Sequence, residues 1–264
     1  MTATLTDPAV VLDPVAAVAL PRGGAVGRAG LLATPGFVLL SALALWVYAR
    51  SVDLDSIERR NLEAGVIARQ LLEHVQLTLL ATAVVVVLAV PLGVLLSRGR
   101  SRRLVPVVVG LANVGQAVPS IGLVVLLALL LGIGRGTAVL ALIASSALPV
   151  LRNTLVGLEG VDPAVVKAGL GMGMSRWGVL WGIELPLAVP VLLTGVRVAL
   201  IYNVGTATLA TLIGAGGLGD LINNGIVLGR PLVLLVGSVG TALLALGLDW
   251  FAGLAERALR PRGL

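Results

Sequence analysis

The clearest apolar stretch of the chain is residues 75–97, which read VQLTLLATAVVVVLAVPLGVLLS. The stretch carries no charged side chain, and it exceeds the roughly 20 residues that an α-helix needs to cross the hydrocarbon core of a bilayer. Pro91 is compatible with such a helix, because neighbouring helices satisfy the backbone groups that a proline frees in lipid. Four arginines follow at once, and cytoplasmic loops carry the excess of positive charge: Arg98, Arg100, Arg102 and Arg103. We therefore predict a membrane-spanning helix that ends on the cytoplasmic side.

Further apolar segments flank this helix in both directions. Residues 104–131 are too long for one straight span, and we predict one kinked crossing because four residues interrupt them: Pro106, Gly115, Pro119 and Gly122. The other predicted spans are Leu31–Tyr48, Thr137–Val156, Leu187–Ile213 and Pro231–Leu254. With these crossings the arginine-rich segments all fall on one side, so both termini are predicted to be cytoplasmic.

The composition agrees with a membrane protein. Hydrophobic residues make up 58% of the 264 residues, charged residues 12%, and the mean hydropathy is +1.05; a soluble domain has about 45–50% and 25%. The net charge of +6 comes from short basic runs beside apolar segments, which favours topology signals over a nucleic-acid surface. The chain has no cysteine and a single histidine, which excludes disulfides and argues against a multi-ligand metal site.

These patterns predict an all-α integral membrane protein with one peripheral N-terminal span and a five-helix core. The predicted divisions are a disordered cytoplasmic tail at 1–29, the peripheral span at 30–49, an extracytoplasmic linker at 50–73, the transmembrane core at 74–256, and a cytoplasmic tail at 257–264. Within the core, residues 158–186 are amphipathic and are predicted to stay outside the bilayer.

The amphipathic segment includes residues 162–186, DPAVVKAGLGMGMSRWGVLWGIELP. Asp162 followed by Pro163 is a favourable helix start, because the carboxylate caps free N–H groups and proline at the first helical position loses no hydrogen bond. Glycines end this short helix, and Ser175 is placed to cap a second one. Two short helices at a sharp turn predict a compact cytoplasmic knob on which a soluble partner can push.

This knob resembles the coupling segment of permease subunits of binding-protein-dependent ABC importers. That family has Glu-Ala-Ala, three residues, Gly, nine residues, Ile, one residue and Leu-Pro. The matching residues are Lys167, Ala168, Gly169, Gly173, Ile183, Leu185 and Pro186. The chain departs from the family at Lys167, where Glu is usual, and at Gly169, where Ala is usual.

The resemblance implies partners for this chain. In that family two permeases pair in the membrane, each seats its coupling segment in a cleft of an ATPase subunit, and an extracytoplasmic binding protein delivers the substrate. ATP and Mg²⁺ are bound by the ATPase, so the resemblance implies a transport subunit without cofactor or enzymatic activity. ATP binding would turn the permeases outward and hydrolysis would reset them.

Other segments resemble the osmoprotectant branch of this family, whose substrates are glycine betaine, carnitine and choline. They are residues 185–195, Arg197, Ala199, residues 205–220 and residues 116–120. Importers of methionine, sulfonates or phosphonates remain alternatives within the family. A secondary transporter is the alternative from another class, but it would need inverted repeats with paired broken helices.

Three polar residues of the predicted span 187–213 are candidates for the translocation path: Arg197, Asn203 and Thr206. A charge within a span is costly unless it is paired or faces water, so Arg197 either serves transport or reaches toward the cytoplasm. Thr208 is predicted to bond to its own helix backbone. The glycine run 214–219 lacks the Gly-Lys-Ser/Thr of a phosphate loop, and we predict an extracytoplasmic turn or close helix packing there.

The remaining polar and aromatic residues are assigned to interfaces. We expect Glu184 and Asp249 at the cytoplasmic surface rather than in proton transfer, an Asp220–Arg230 ion pair, and His74 at the entrance of a span. We also expect close helix approach at three glycines: Gly157, Gly195 and Gly205. Aromatic cages hold quaternary ammonium groups by cation–π attraction, and we predict none here because the tryptophans fall at interfaces or in the knob: Trp46, Trp177, Trp181 and Trp250.

Overall fold

The computed structural model describes residues 28–259, which fold entirely into helices and their connections. The α-helices are α1 Arg28–Ser51, α2 Ser56–Asn61, α3 Ala64–Leu96, α4 Val105–Ala117, α5 Ser120–Leu131, α6 Arg135–Glu159, α7 Pro163–Gly171, α8 Arg176–Val179, α9 Leu185–Ala207, α10 Gly219–Val227 and α11 Pro231–Leu259. Two 3₁₀ segments, Gly99–Leu104 and Thr208–Ile213, and one π-helical turn, Leu180–Glu184, connect some of them. The predicted all-α membrane class is confirmed.

Within residues 28–259, five helices are long and apolar enough to cross a membrane. They are Leu32–Ser51, Ala64–Leu96, Arg135–Glu159, Arg176–Ile213 and Pro231–Leu259. The segments Gly99–Ala117 and Ser120–Leu131 pass the same test together but are bent by 98°. The bend lies at Val118–Pro119, where proline disfavours a helical conformation of the preceding residue.

Contacts at the two ends of the bundle show where this bent pair leads. Arg102, near its start, bonds to Glu159 at 2.9 Å, whereas Arg135, just after its end, bonds to Gln76 at 3.3 Å. Gln76 lies 20 residues before the end of α3, a distance of about 30 Å along the helix axis. The bent pair therefore carries the chain from one end of the bundle to the other, as a kinked crossing requires.

The centre of the bundle is α6, which packs against α3 and α9. A Cβ added at Gly195 of α9 would lie 2.7 Å from the carbonyl oxygen of Pro149 in α6, and one at Gly157 would lie 3.1 Å from that of Ala188. Glycine therefore lets these helices approach at both positions, as predicted. The same prediction is wrong for Gly205, where an added Cβ would meet nothing within 4 Å.

Several predicted boundaries fall elsewhere in the structure. The predicted linker 50–73 contains α2, capped by Asp55 through N–H groups of Ile57 and Glu58, and α3 starts at Ala64, well before Val75. The predicted last span continues as α11 to Leu259. Most of the predicted tail 1–29 and residues 260–264 lie outside the described residues.

Candidate functional site

The predicted knob forms two short helices joined by a tight turn. Asp162 caps α7 by accepting a hydrogen bond from the N–H of Ala164 at 2.8 Å. The turn requires Gly173, whose φ of +87° is strained for any other residue. Ser175 then caps α8 by accepting from the N–H of Gly178 at 3.0 Å. Residues 176–213 run on as one helical segment, so a displacement of the knob reaches the span α9 directly.

The residues that carry the family resemblance divide into an outer and an inner set. Lys167 and Ala168 are exposed, whereas Gly169 is buried. A Cβ at Gly169 would lie only 2.7 Å from Cδ1 of Ile183, so Gly169, at the second alanine position of the motif, packs against the motif isoleucine inside the knob. Leu185 and Pro186 are half-buried at the start of α9.

Large apolar side chains project from this end of the bundle. Met172 is 76% exposed, and Trp177 and Trp181 are each 69% exposed. Exposed apolar patches of this kind mark sites where a protein or membrane surface binds. With Lys167 on α7 and Arg176 on α8, both exposed, they give the knob an apolar surface with two cationic side chains.

An ion pair connects the knob to the end of α3. The guanidinium of Arg98 donates to both carboxylate oxygens of Glu184, with Nη1 lying 3.2 Å from Oε1. Glu184 is buried and lies in the π-helical turn, so the pair ties the knob to a second span through a bidentate contact. The expected position of Glu184 at the cytoplasmic surface stays a prediction. From the sequence, Arg98 is predicted only to signal topology.

Arg197 pairs with a carboxylate of the last helix. Its guanidinium donates to both carboxylate oxygens of Asp249, and Nη1 lies 3.9 Å from Oε2 of Glu256. The sequence left the role of Arg197 open between transport and reaching toward the cytoplasm. The structure shows a third arrangement, in which the charge is neutralised between α9 and α11.

Asn203 lies on a different side of α9. It is fully buried, and its Nδ2 donates to Oγ1 of Thr82 in α3 at 3.0 Å, whereas its Oδ1 is buried without a partner in the described protein. Thr206 is also buried. The structure therefore places Asn203 against α3 and Arg197 against α11, and their predicted role in the path stays a prediction. Thr208 bonds to the carbonyl of Gly205, as predicted.

His74 is fully buried and lies well inside α3, and its predicted position at the entrance of a span stays a prediction. Its Nδ1 accepts a hydrogen bond from the N–H of Leu218 at 3.3 Å, so its Nε2 carries the proton and donates to the carbonyl of Val204 at 2.9 Å. The N–H of Thr208, four residues after Val204, bonds to the carbonyls of Gly205 and Thr206 at the end of α9. It therefore leaves the carbonyl of Val204 to the histidine. His74 thus joins α3 to both α9 and the glycine-rich loop.

The glycine-rich loop 214–219 rests on α3 beside this histidine. Oε2 of Glu73 accepts from the N–H of Gly217 at 3.2 Å. Gly216 and Gly217 have φ angles of +80° and +95°, and a Cβ at Gly217 would lie 3.1 Å from Nδ1 of His74. Close packing, one of the two predicted roles, is confirmed. The sequence carried a signal for polar contacts on one face of α3, because the buried polar residues recur every four positions along it: Gln70, His74, Thr78 and Thr82.

The predicted Asp220–Arg230 ion pair is wrong. Asp220 accepts a hydrogen bond from the hydroxyl of Thr211, which closes the ends of the glycine-rich loop. Arg230 instead pairs with Asp55 at 2.7 Å, joining the start of α11 to the segment before α2.

The chain matches known proteins over most of its length. Residues 89–261 match the family of binding-protein-dependent transport system inner membrane components. The chain is 39% identical over 192 residues, 73% of its length and 88% of the relative's, to the glycine betaine/carnitine/choline transport system permease protein OpuCB of Bacillus subtilis. It is 35% identical over 226 residues, 86% and 94% of the two chains, to the osmoprotectant import permease protein OsmY of Salmonella typhimurium.

Solved structures share the fold. A chain of the MetNI methionine ABC transporter in an inward-facing conformation gives a TM-score of 0.66 at 22% identity, with 75% of this chain and 98% of that chain covered. An amino acid ABC transporter solved with histidines gives 0.63 at 17% identity, with 78% and 100% covered. The chain therefore belongs to the family of binding-protein-dependent transport system inner membrane components, the permease subunits of ABC importers.

Proposed function

We propose that this permease carries small osmoprotectants such as glycine betaine, carnitine or choline across the membrane. The observation that carries the proposal is the similarity to relatives named for these substrates, at 35–40% identity over two thirds or more of the chain. Structural likeness to a methionine transporter, at 22% identity, supports the fold alone. Family membership favours an importer subunit over a stand-alone secondary transporter.

The knob formed by α7, the turn and α8 is the proposed docking site for a separate ATPase. Its exposed surface combines Lys167 and Ala168 with large apolar groups, as a docking surface for a soluble protein needs. ATP and Mg²⁺ would be held by that ATPase, and this chain would bind no cofactor itself. In this account the knob lies in the cytoplasm, and both termini lie on the same side.

Transmission from the knob follows two physical connections. Residues 176–213 are continuous with the knob, and the Arg98–Glu184 ion pair ties it to α3. A movement of the docked ATPase would therefore displace α3 and α9 together, the two helices that His74 joins at the other end of the bundle. Moving the helices from 1:99 to 99:1 between two arrangements takes about 5.5 kcal/mol of differential binding, which ATP would supply.

Selectivity is proposed to reside in an extracytoplasmic binding protein. The tryptophans of this chain are dispersed: Arg50 lies over Trp46 at 4.3 Å, Trp250 makes an edge-to-face contact with Phe251, and the other two project from the knob. A second copy of this permease, or a sister chain, would complete the translocation path. We expect no tight complex of glycine betaine with the purified permease alone, as measured by calorimetry.

Capture of the ATPase tests the docking site. Ala168 is exposed in the isolated chain, so Ala168→Trp places bulk on the docking surface without disturbing the fold. Ala68→Trp is the matched control, since Ala68 is exposed on α3 in the half of that helix remote from the knob. We expect candidate ATPase subunits to co-purify with the wild type and Ala68→Trp but not with Ala168→Trp. Equal capture by all three chains would contradict the docking site.

A further inference from the structure

An apolar groove separates the peripheral helix α1 from the rest of the bundle. Its volume is about 650 Å³, within the roughly 300–1,000 Å³ of pockets that hold small ligands. Its walls come from α1, α3 and α11, and four further leucines beside α2 and at the start of α10 also line it: Leu54, Leu62, Leu218 and Leu221. The three helices are candidate spans, so we expect the part of the groove that lies between them to face the hydrocarbon of the bilayer.

The groove has the length of one lipid chain. Its lining follows α1 from Val38 to Arg50 and α11 from Val236 to Phe251, which correspond to about 18 Å and 22 Å at 1.5 Å per residue. One leaflet contributes about 15 Å of the roughly 30 Å hydrocarbon core. An extended acyl chain entering from one membrane surface therefore fits along the groove.

The protein leaves this space unfilled. None of the residues in the apolar window of α1 is buried, although Leu45 and Ala49 pack against the core cluster that includes Leu221 and Val236. On α11, Gly240 and Gly247 line the groove, and a Cβ added at either would meet nothing within 4 Å. An unfilled apolar space forfeits dispersion contacts for its lining, and lipid hydrocarbon is the apolar material available at this depth.

One cation stands at the end of the groove. Arg50 is the charged residue of the lining and is exposed at the end of α1, with its guanidinium over the ring of Trp46. Among residues 28–259 no carboxylate pairs with it. A guanidinium forms strong charge-assisted hydrogen bonds to phosphate, so the polar end of the groove complements an anionic headgroup.

We propose that this groove is a binding site for one anionic phospholipid, with an acyl chain between α1 and α11 and the headgroup phosphate at Arg50. The lipid would fasten the peripheral helix to the transport core. The inference is independent of the transported solute, since no residue of the coupling knob or the candidate path lines the groove.

Native mass spectrometry of the purified full chain in detergent, with added phosphatidylglycerol or phosphatidylcholine, tests the site. Gly240→Leu fills the groove, whereas Gly36→Leu adds the same side chain on α1 where a Cβ also meets nothing within 4 Å and which does not line the groove. We expect one phosphatidylglycerol per chain to survive activation in the wild type and Gly36→Leu, and to be lost in Gly240→Leu. Retention in Gly240→Leu would overturn the proposal.

The headgroup contact is tested separately. Arg50→Gln should abolish the preference for phosphatidylglycerol over phosphatidylcholine, and Arg100→Gln, an equal change of charge beside α4, should preserve it. Phosphatidylglycerol should also raise the melting temperature of the wild type but not that of Gly240→Leu. Because only a folded chain gives a melting transition, a transition in Gly240→Leu shows that the variant is folded and lacks only the lipid site. Equal retention of both lipids by the wild type would contradict an anionic lipid in the groove. A wild-type dimer that Gly240→Leu dissociates would show that a second copy of the chain, and not a lipid, occupies the groove.

Discussion

The packing of α6 against α9 can be tested with two alanine substitutions on the same helix. In Gly195→Ala the new Cβ would lie 2.6 Å from Cβ of Asn153 and 2.7 Å from the carbonyl oxygen of Pro149. Real Cβ atoms do not approach other atoms that closely, and a backbone carbonyl cannot rotate away as a side chain can. The two helices must therefore separate, and overpacking of this kind costs about 1–3 kcal/mol.

Gly205→Ala is the matched control, because a Cβ there meets nothing within 4 Å. Alanine is favoured over glycine in a helix interior by about 0.5–1 kcal/mol, so this variant should equal or exceed the wild type in stability. The assay is thermal unfolding in detergent, followed by tryptophan fluorescence. We expect Gly195→Ala to melt several degrees below Gly205→Ala. Equal melting temperatures would refute the close approach of α6 and α9.

Three further substitutions test the polar contacts. His74→Ala leaves a buried N–H and a buried carbonyl unpaired, at about 1–3 kcal/mol each, and hydrogen exchange of residues 216–220 should accelerate; unchanged exchange would contradict the role of His74 in holding the loop. Arg98→Glu should lower ATP-driven uptake while ATPase capture persists, and adding Glu184→Arg should restore part of it, whereas no rescue would argue against transmission through the ion pair. Lys167→Glu should weaken ATPase association at low salt if the partner presents an acidic group there, and unchanged association would rule that pairing out.

The spans were predictable because hydropathy and the positive-inside rule depend on local composition. Residues 75–96 of the run lie inside α3 and Ser97 is its C-cap, and the break at Pro119 lies in the predicted kinked crossing. The early start of α3 was missed because residues 64–74 include charged side chains, which signal a loop to hydropathy although a helix can project beyond the bilayer. The 98° bend angle depends on packing and has no local signal.

The knob was predictable from its capping residues and glycines, since caps act within three or four positions. The contacts around it were not. Arg98 and Glu184 are separated by 86 positions, and Glu73 and Gly217 by 144, so each pair forms only once the spans are packed. The Asp220–Arg230 prediction failed for this reason, because proximity in sequence was taken for proximity in space.

The most direct test of the central claim is uptake by the purified permease reconstituted in proteoliposomes with its ATPase and binding protein. We predict that labelled glycine betaine, carnitine or choline accumulates only when ATP is present on the ATPase side, and that Ala168→Trp abolishes the uptake while Ala68→Trp does not. Uptake of these solutes by the permease alone, without ATP or partners, would contradict the account.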